Sequence, residues 1–139
     1  MRPPTEEELN EEVDEGFALH MLEDPLWIVE ANHLDRQLEL EVLEITLTIV
    51  DDRWAQDRKK LQDDIRYKQE MLTVSQDYFD DMPEMAAQDQ LALDQAEERL
   101  IKEEKEYEEG EKAARDKIER KKRELAVVAD IIRRHTNHP

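Results

Sequence analysis

Three places in the 139-residue chain bring together side chains able to do chemistry. Glu30-Ala31-Asn32-His33 spaces a carboxylate and an imidazole three residues apart, so on a helix both lie on one face. Helical bundles hold paired metal ions with that spacing, but they need the motif twice and two more inward carboxylates. None of His20, His135 and His138 has a Glu three residues before it. A zinc ion between His33 and His135 is conceivable if the chain folds back, but surface histidines near helix ends are the ordinary reading, and no metal is expected. The second place, Arg120-Lys121-Lys122-Arg123, has the form of a short basic localisation patch. It is interleaved with Glu119 and Glu124, which favours a solvated or salt-bridging face. The third is the set Asp77, Tyr78, Phe79, Asp80, Asp81 and Glu84 around Pro83. Carboxylate pairs are so abundant in this chain that proximity alone singles out none. No Gly-rich phosphate loop, Gly-x-Ser-x-Gly elbow or Ser/His/Asp arrangement is present. We therefore expect a protein that is not an enzyme, with no catalytic residues and no cofactor.

Composition bounds the rest. Charged residues make up 42 %, aromatics 5 %, and there are two glycines, a mix that suits long helices, coiled coil or partial disorder better than a compact core with many turns. One domain is the expectation from length. Without cysteine there is no thiolate metal site and no disulfide-stapled secreted framework. The first residues lack the apolar run of a signal peptide, and no stretch approaches the roughly 18 apolar residues of a membrane span. The expectation is an intracellular protein, cytoplasmic or nuclear, that does not engage a membrane. Of the net charge of −18, residues 1–52 hold 16 acidic and 2 basic side chains, whereas residues 115–134 hold 4 and 8. Phosphate contacts need net Lys and Arg, so direct nucleic-acid binding is disfavoured, and a basic protein surface is the better-matched partner.

The elements follow from the proline and glycine positions. From Leu26 to Met82 there is neither Gly nor Pro, and from Glu84 to His138 there is only Gly110. Proline suits the first turn of a helix and pushes the preceding residue out of helical angles, so Met82-Pro83 should end one helix and start the next. We expect an acidic arm over 1–23, a helix over 25–82, a turn at 80–84, a helix over 84–134 and a tail at 136–139. In the arm, Thr5 and Glu8 fit a capping box, and Leu9, Val13 and Phe17 recur along one helical face. The arm is either a short helix, suited to docking in a groove, or a frayed acidic terminus. Asp24 should cap the first long helix, with Pro25 at its first position.

The apolar seam of that helix reads Trp27, Ala31, Leu34, Leu38, Val42, Ile45 and Ile49. After a phase shift near residue 50 it resumes at Trp54, Leu61, Ile65, Leu72, Phe79 and Met82, with Arg58, Lys68 and Ser75 interrupting it. Leu38 to Val42 alternates with period 2, and Ile45 to Val50 is β-branched, which taken alone reads as a strand. A strand with no ladder partner leaves costly unpaired backbone, so helix is the expectation. In the second helix one column holds Leu93, Leu100, Tyr107, Ala114, Lys121 and Val128. The other holds Gln90, Glu97, Glu104, Glu111, Ile118, Leu125 and Ile132. Gly110 reads as a tolerated surface glycine.

A reversal at Pro83 puts the basic block from Arg115 to Arg134 along Glu30, Asp35, Glu39, Glu41, Glu44, Asp51 and Asp52. It also brings the apolar stretches 26–50 and 118–132 together. Charge and hydropathy agree on one register, and such agreement is good evidence for a fold. The fold class expected is all-α, a long antiparallel helical hairpin of coiled-coil type. Leu40, Leu43, Leu47 and Val50 exceed what one partner helix covers, and exposed apolar patches with large aromatics mark interfaces. The candidate interface is Trp27, Leu34, Leu38, Leu40, Leu43, Leu47, Val50, Trp54, Leu125, Val128 and Ile132. Its occupant would be another protein or a second copy of the chain. The leading expectation for function is a scaffold or adaptor subunit in a larger assembly; the second is an acidic binder of basic proteins, acting as a chaperone for histone-like clients or a nucleic-acid mimic.

The stretch Asp80-Asp81-Met82-Pro83-Glu84-Met85-Ala86-Ala87-Gln88 loosely resembles the tip of the hairpin transcription factors that enter the RNA polymerase secondary channel. The resemblance covers about ten residues, and the four-cysteine zinc module or globular domain of those factors is missing here. It implies a third function, regulation of a polymerase-like enzyme through tip residues Asp77, Phe79, Asp80 and Asp81.

Overall fold

The computed structural model describes residues 21–136. These form two long helices, α1 (Leu26–Tyr78) and α2 (Pro83–Thr136), which pack against each other as an all-α antiparallel hairpin, with no strand among the described residues. The arm expected over 1–20 and the tail at 137–139 lie outside the described residues. Met21 and Leu22 are helical, and Asp24 N–H donates to the Met21 carbonyl at 3.2 Å. The Pro25 carbonyl accepts from both Ile28 N–H (3.0 Å) and Val29 N–H (3.2 Å), so α1 starts one residue later than the sequence suggests.

The β-branched segment 45–50 is helical throughout. Thr46 turns its hydroxyl back on the Val42 carbonyl at 2.7 Å, and Thr73 does the same to Gln69 at 3.1 Å, bonds that satisfy the hydroxyl without leaving the helix. The far end of α1 differs from expectation: it stops at Tyr78 rather than at Met82. Carboxylates are unfavourable in the last turn of a helix, and that last turn holds no basic residue to offset them, so Asp80 and Asp81 fall in the turn. The reversal is a tight one over Phe79–Met82, closed by Met82 N–H to the Phe79 carbonyl at 2.9 Å. Pro83 opens α2, and the carbonyl of the preceding Met82 accepts from Met85 N–H at 3.1 Å.

The fold-back is therefore centred ahead of Pro83, and the pairing shifts with it. Glu39 meets Lys121, where a reversal at Pro83 itself would set Val127 against it. The described residues divide into two compact units. A terminal unit comprises 21–47 and 113–136, and a turn unit comprises 48–112.

In the terminal unit, Val29, Val128 and Ile131 are fully or almost fully buried and form one cluster with Met21; Val127 and Ile132 pack on it. Ile118 is also buried. In the turn unit Leu61, Leu93 and Ala96 are buried, with Ile65, Leu72 and Leu100 half-buried beside them in sequence spacing. Polar groups contribute to the contact there. Buried Ser75 donates its hydroxyl to Asp89, half-buried Trp54 stacks on Tyr107 with ring centroids 5.1 Å apart, and exposed Arg58 pairs with Glu104 at 3.0 Å.

Candidate functional site

The seam expected for the first half of α1 is on the wrong side of the helix. Trp27, Leu34, Leu38, Val42 and Ile45 are 51–70 % exposed. Val29 is buried, and Arg36, Leu40, Leu43 and Leu47 are half-buried. At 100° per residue the two sets lie on opposite sides of one helix. The inward phase is interrupted by Arg36, which makes it the weaker pattern on paper. In the fold Arg36 is accommodated half-buried, because its guanidinium pairs with Glu124 at 3.6 Å.

The rest of the candidate interface separates accordingly. Leu125 and Ile132 are half-buried and Val128 is fully buried, so these serve the contact between α1 and α2. Val50 is exposed and Trp54 is half-buried against Tyr107; both belong to the turn unit. The tip residues Asp77, Phe79, Asp80 and Asp81 are all exposed. Met21, Val29 and Ile131 carry the terminal core and were missed by the sequence reading. Val29 was legible as the position seven residues before Arg36 and fourteen before Leu43.

One edge of the exposed stripe opens into a groove of about 610 Å³. Leu38, Val42 and Leu43 of α1 line it together with Lys117, Arg120 and Lys121 of α2. Lys121 bridges the helices, reaching Glu39 at 2.7 Å and Glu124 at 2.9 Å. Burial alone would lower the Lys121 ammonium, but its bonds to the two carboxylates win and raise it. The hydrogen bond from Lys121 holds the Glu39 carboxyl below the usual range. Nearer the end of α2, Arg133 and Arg134 both pair with Asp130, which lowers its carboxyl.

The turn unit holds a different arrangement. The Tyr107 hydroxyl lies against the carboxylates of Asp51 and Glu111; burial first, and then those two acceptors, raise the phenol well above its ordinary value. A second concavity here is lined by Trp54, Leu61, Tyr107 and a mixture of acids and bases. Among the described residues no three of His, Cys, Asp and Glu are grouped to hold a metal ion.

No protein-family model matches the chain, and comparison with curated proteins and with solved structures finds no significant match. No described helix is long and apolar enough to cross a membrane.

Proposed function

We propose that this protein is a non-catalytic helical-hairpin adaptor that holds a protein partner through the terminal unit. The observation that carries the reading is the stripe Trp27, Leu34, Leu38, Val42 and Ile45, more than half exposed on the side of α1 turned away from α2. Burying a Leu, Val or Ile side chain is worth about 1.5–3 kcal/mol each. A run of such residues left in water on one helix face is a cost that an interface removes. A photo-crosslinking amino acid at Leu38 tests it in cells. Adducts at Leu38 and none at exposed Glu119 of α2 are the expected result. No adduct, together with a monomer that binds no hydrophobic dye, would overturn the reading.

A second reading is favoured by the charge of residues 1–52, which carry 16 acids against Arg2 and Arg36. In it the chain binds a basic protein mainly by electrostatics. The two readings separate on salt, because screening weakens charge-driven binding steeply and leaves apolar docking largely intact.

A further inference from the structure

Resting on the adaptor reading, the geometry points to one kind of occupant for the outward face of α1: a basic amphipathic helix of a partner protein, laid along Leu34, Leu38, Val42 and Ile45. The spacing of those four residues, two steps of four and one of three, is the seam that a helix presents to another helix. The face is also sided by charge. Glu30 and Glu41 border the stripe along one edge and Asp35 lies on the other, all of them exposed.

Over 26–47 the chain has five acids and one arginine, and that arginine, Arg36, points inward to Glu124. No cation of α1 therefore accompanies the stripe. A partner helix whose apolar seam is flanked by Lys or Arg meets apolar surface with apolar surface and acid with base. A second copy would place Glu30, Asp35 and Glu41 against their own equivalents, on chains that each carry −18. The like charges count against it. The chain's own acidic segment, with Glu6, Glu7, Glu8, Glu11 and Glu12, is mismatched to this face for the same reason.

The groove adds a handhold. Leu38 and Val42 form its α1 wall, so a large apolar side chain from the docked helix has about 610 Å³ to enter. Along the groove the cations Lys117, Arg120 and Lys121 stand with the acids Glu39 and Glu124, and Lys121 is already paired with both, so a basic flank on the docked helix finds carboxylates there too.

The test uses the full chain with Trp54→Phe, which leaves Trp27, on the stripe itself, as the single indole. The probe is a synthetic helical peptide of about three heptads with a leucine seam and Lys/Arg flanks. Two control peptides carry Glu flanks and a scrambled order of the basic sequence. The expected result is a blue shift of Trp27 emission with the basic amphipathic peptide. It should bind roughly tenfold or more tighter than either control at physiological salt, and Leu38→Gln with Val42→Gln should remove about that factor.

Equal binding of the scrambled peptide, or binding indifferent to the Gln substitutions, would sink the proposal, since generic attraction to an acidic protein would then explain it. So would a concentration-dependent dimer in sedimentation that buries Trp27 on its own, or a blue shift that is already present in the free chain and is lost when residues 1–20 are deleted. Crosslinks at Leu38 without peptide binding would remove the basic helix and keep the adaptor; their absence would remove both.

Discussion

The terminal unit and the turn unit draw on the same two helices, yet they exclude water differently. In the terminal unit the fully buried cluster is aliphatic: Val29, Val128 and Ile131 close over Met21, with the half-buried Arg36–Glu124 pair and Lys121 outside it. In the turn unit a buried serine hydroxyl on Asp89 and a half-buried tyrosine on Asp51 share the covered surface with Leu61, Leu93 and Ala96. Aliphatic burial is non-directional and roughly proportional to area. A buried hydroxyl bonded to a carboxylate adds little net stability but is costly to leave unpaired, so it discriminates between registers. The terminal unit is thus where stability concentrates, and the turn unit is where the pairing of α1 with α2 is specified.

The largest test of that division is truncation in the aliphatic cluster. Ile131→Ala should cost about 3 kcal/mol, within the usual range for a buried isoleucine, and Leu61→Ala, whose side chain is less completely covered, should cost less. Urea unfolding followed by circular dichroism gives both numbers. Amide exchange should show Ile131→Ala opening 21–47 and 113–136 before 48–112. Equal costs, or opening that starts in the turn unit, would break the contrast.

Next in size is Ser75→Ala, which leaves the Asp89 carboxylate without its hydroxyl donor. A loss of about 1–2 kcal/mol is expected. The double substitution with Asp89→Ala should recover part of it, because removing both partners avoids the unpaired acceptor. Strict additivity would mean that the pair specifies nothing.

The two units should also part company with pH. In the terminal unit Glu39 and Asp130 are held below their ordinary values by Lys121 and by Arg133 and Arg134. Their contribution is present above the unfolded carboxylate range, near pH 4, and is lost as pH falls through the folded values. On the alkaline side Tyr107 of the turn unit is raised by burial and by Asp51 and Glu111. Its contribution is full below about pH 10 and is lost as pH climbs beyond it. Lys121, also raised, adds a loss above its own ordinary value in the terminal unit. Trp54 stacks on Tyr107, so in a Trp27→Phe chain its urea midpoint should hold up to about pH 10 and fall above it. Tyr107→Phe should flatten that fall. A midpoint that drops equally in both chains would assign it to Lys121 and to general repulsion.

How much of this was legible in the sequence depends on what each pattern had to compete with. The two helices and the antiparallel sense were readable, because proline placement is local and the charge blocks are long; the reversal was expected at Pro83 itself and lies a few residues ahead of it. The inward columns of α2 from Tyr107 to Ile132 were readable too, since one phase dominates there. The first half of α1 was not, because it carries two apolar phases on opposite sides. The phase free of charges at Trp27, Leu34 and Leu38 looked like the seam. The side chain of Glu124, distant in sequence, and the neighbouring Asn32 make Arg36 acceptable on the inward side. The same ambiguity hid Val29, whereas Ile131 went unread because it stands beside Ile132, which already filled the expected column. The end of α1 was missed by four residues because proline marks where a helix starts more sharply than acids mark where one stops.

The smallest expected effect sharpens the contrast from the turn unit's side. Gly110 is exposed inside α2, its backbone angles are not of the glycine-only kind, and a Cβ built on it meets nothing within 4 Å. Gly110→Ala should therefore stabilise by roughly 0.5–1 kcal/mol, through the unfolded chain's lost freedom and the better helix propensity of alanine. The gain should appear as stronger amide protection around 105–115, with the Ser75–Asp89 coupling unchanged, since the substitution touches neither partner. A gain in the urea midpoint matched by a weaker coupling would mean that a stiffer α2 shifts the register. Pairing in the turn unit would then be set by the helix backbone, and its polar contacts would follow.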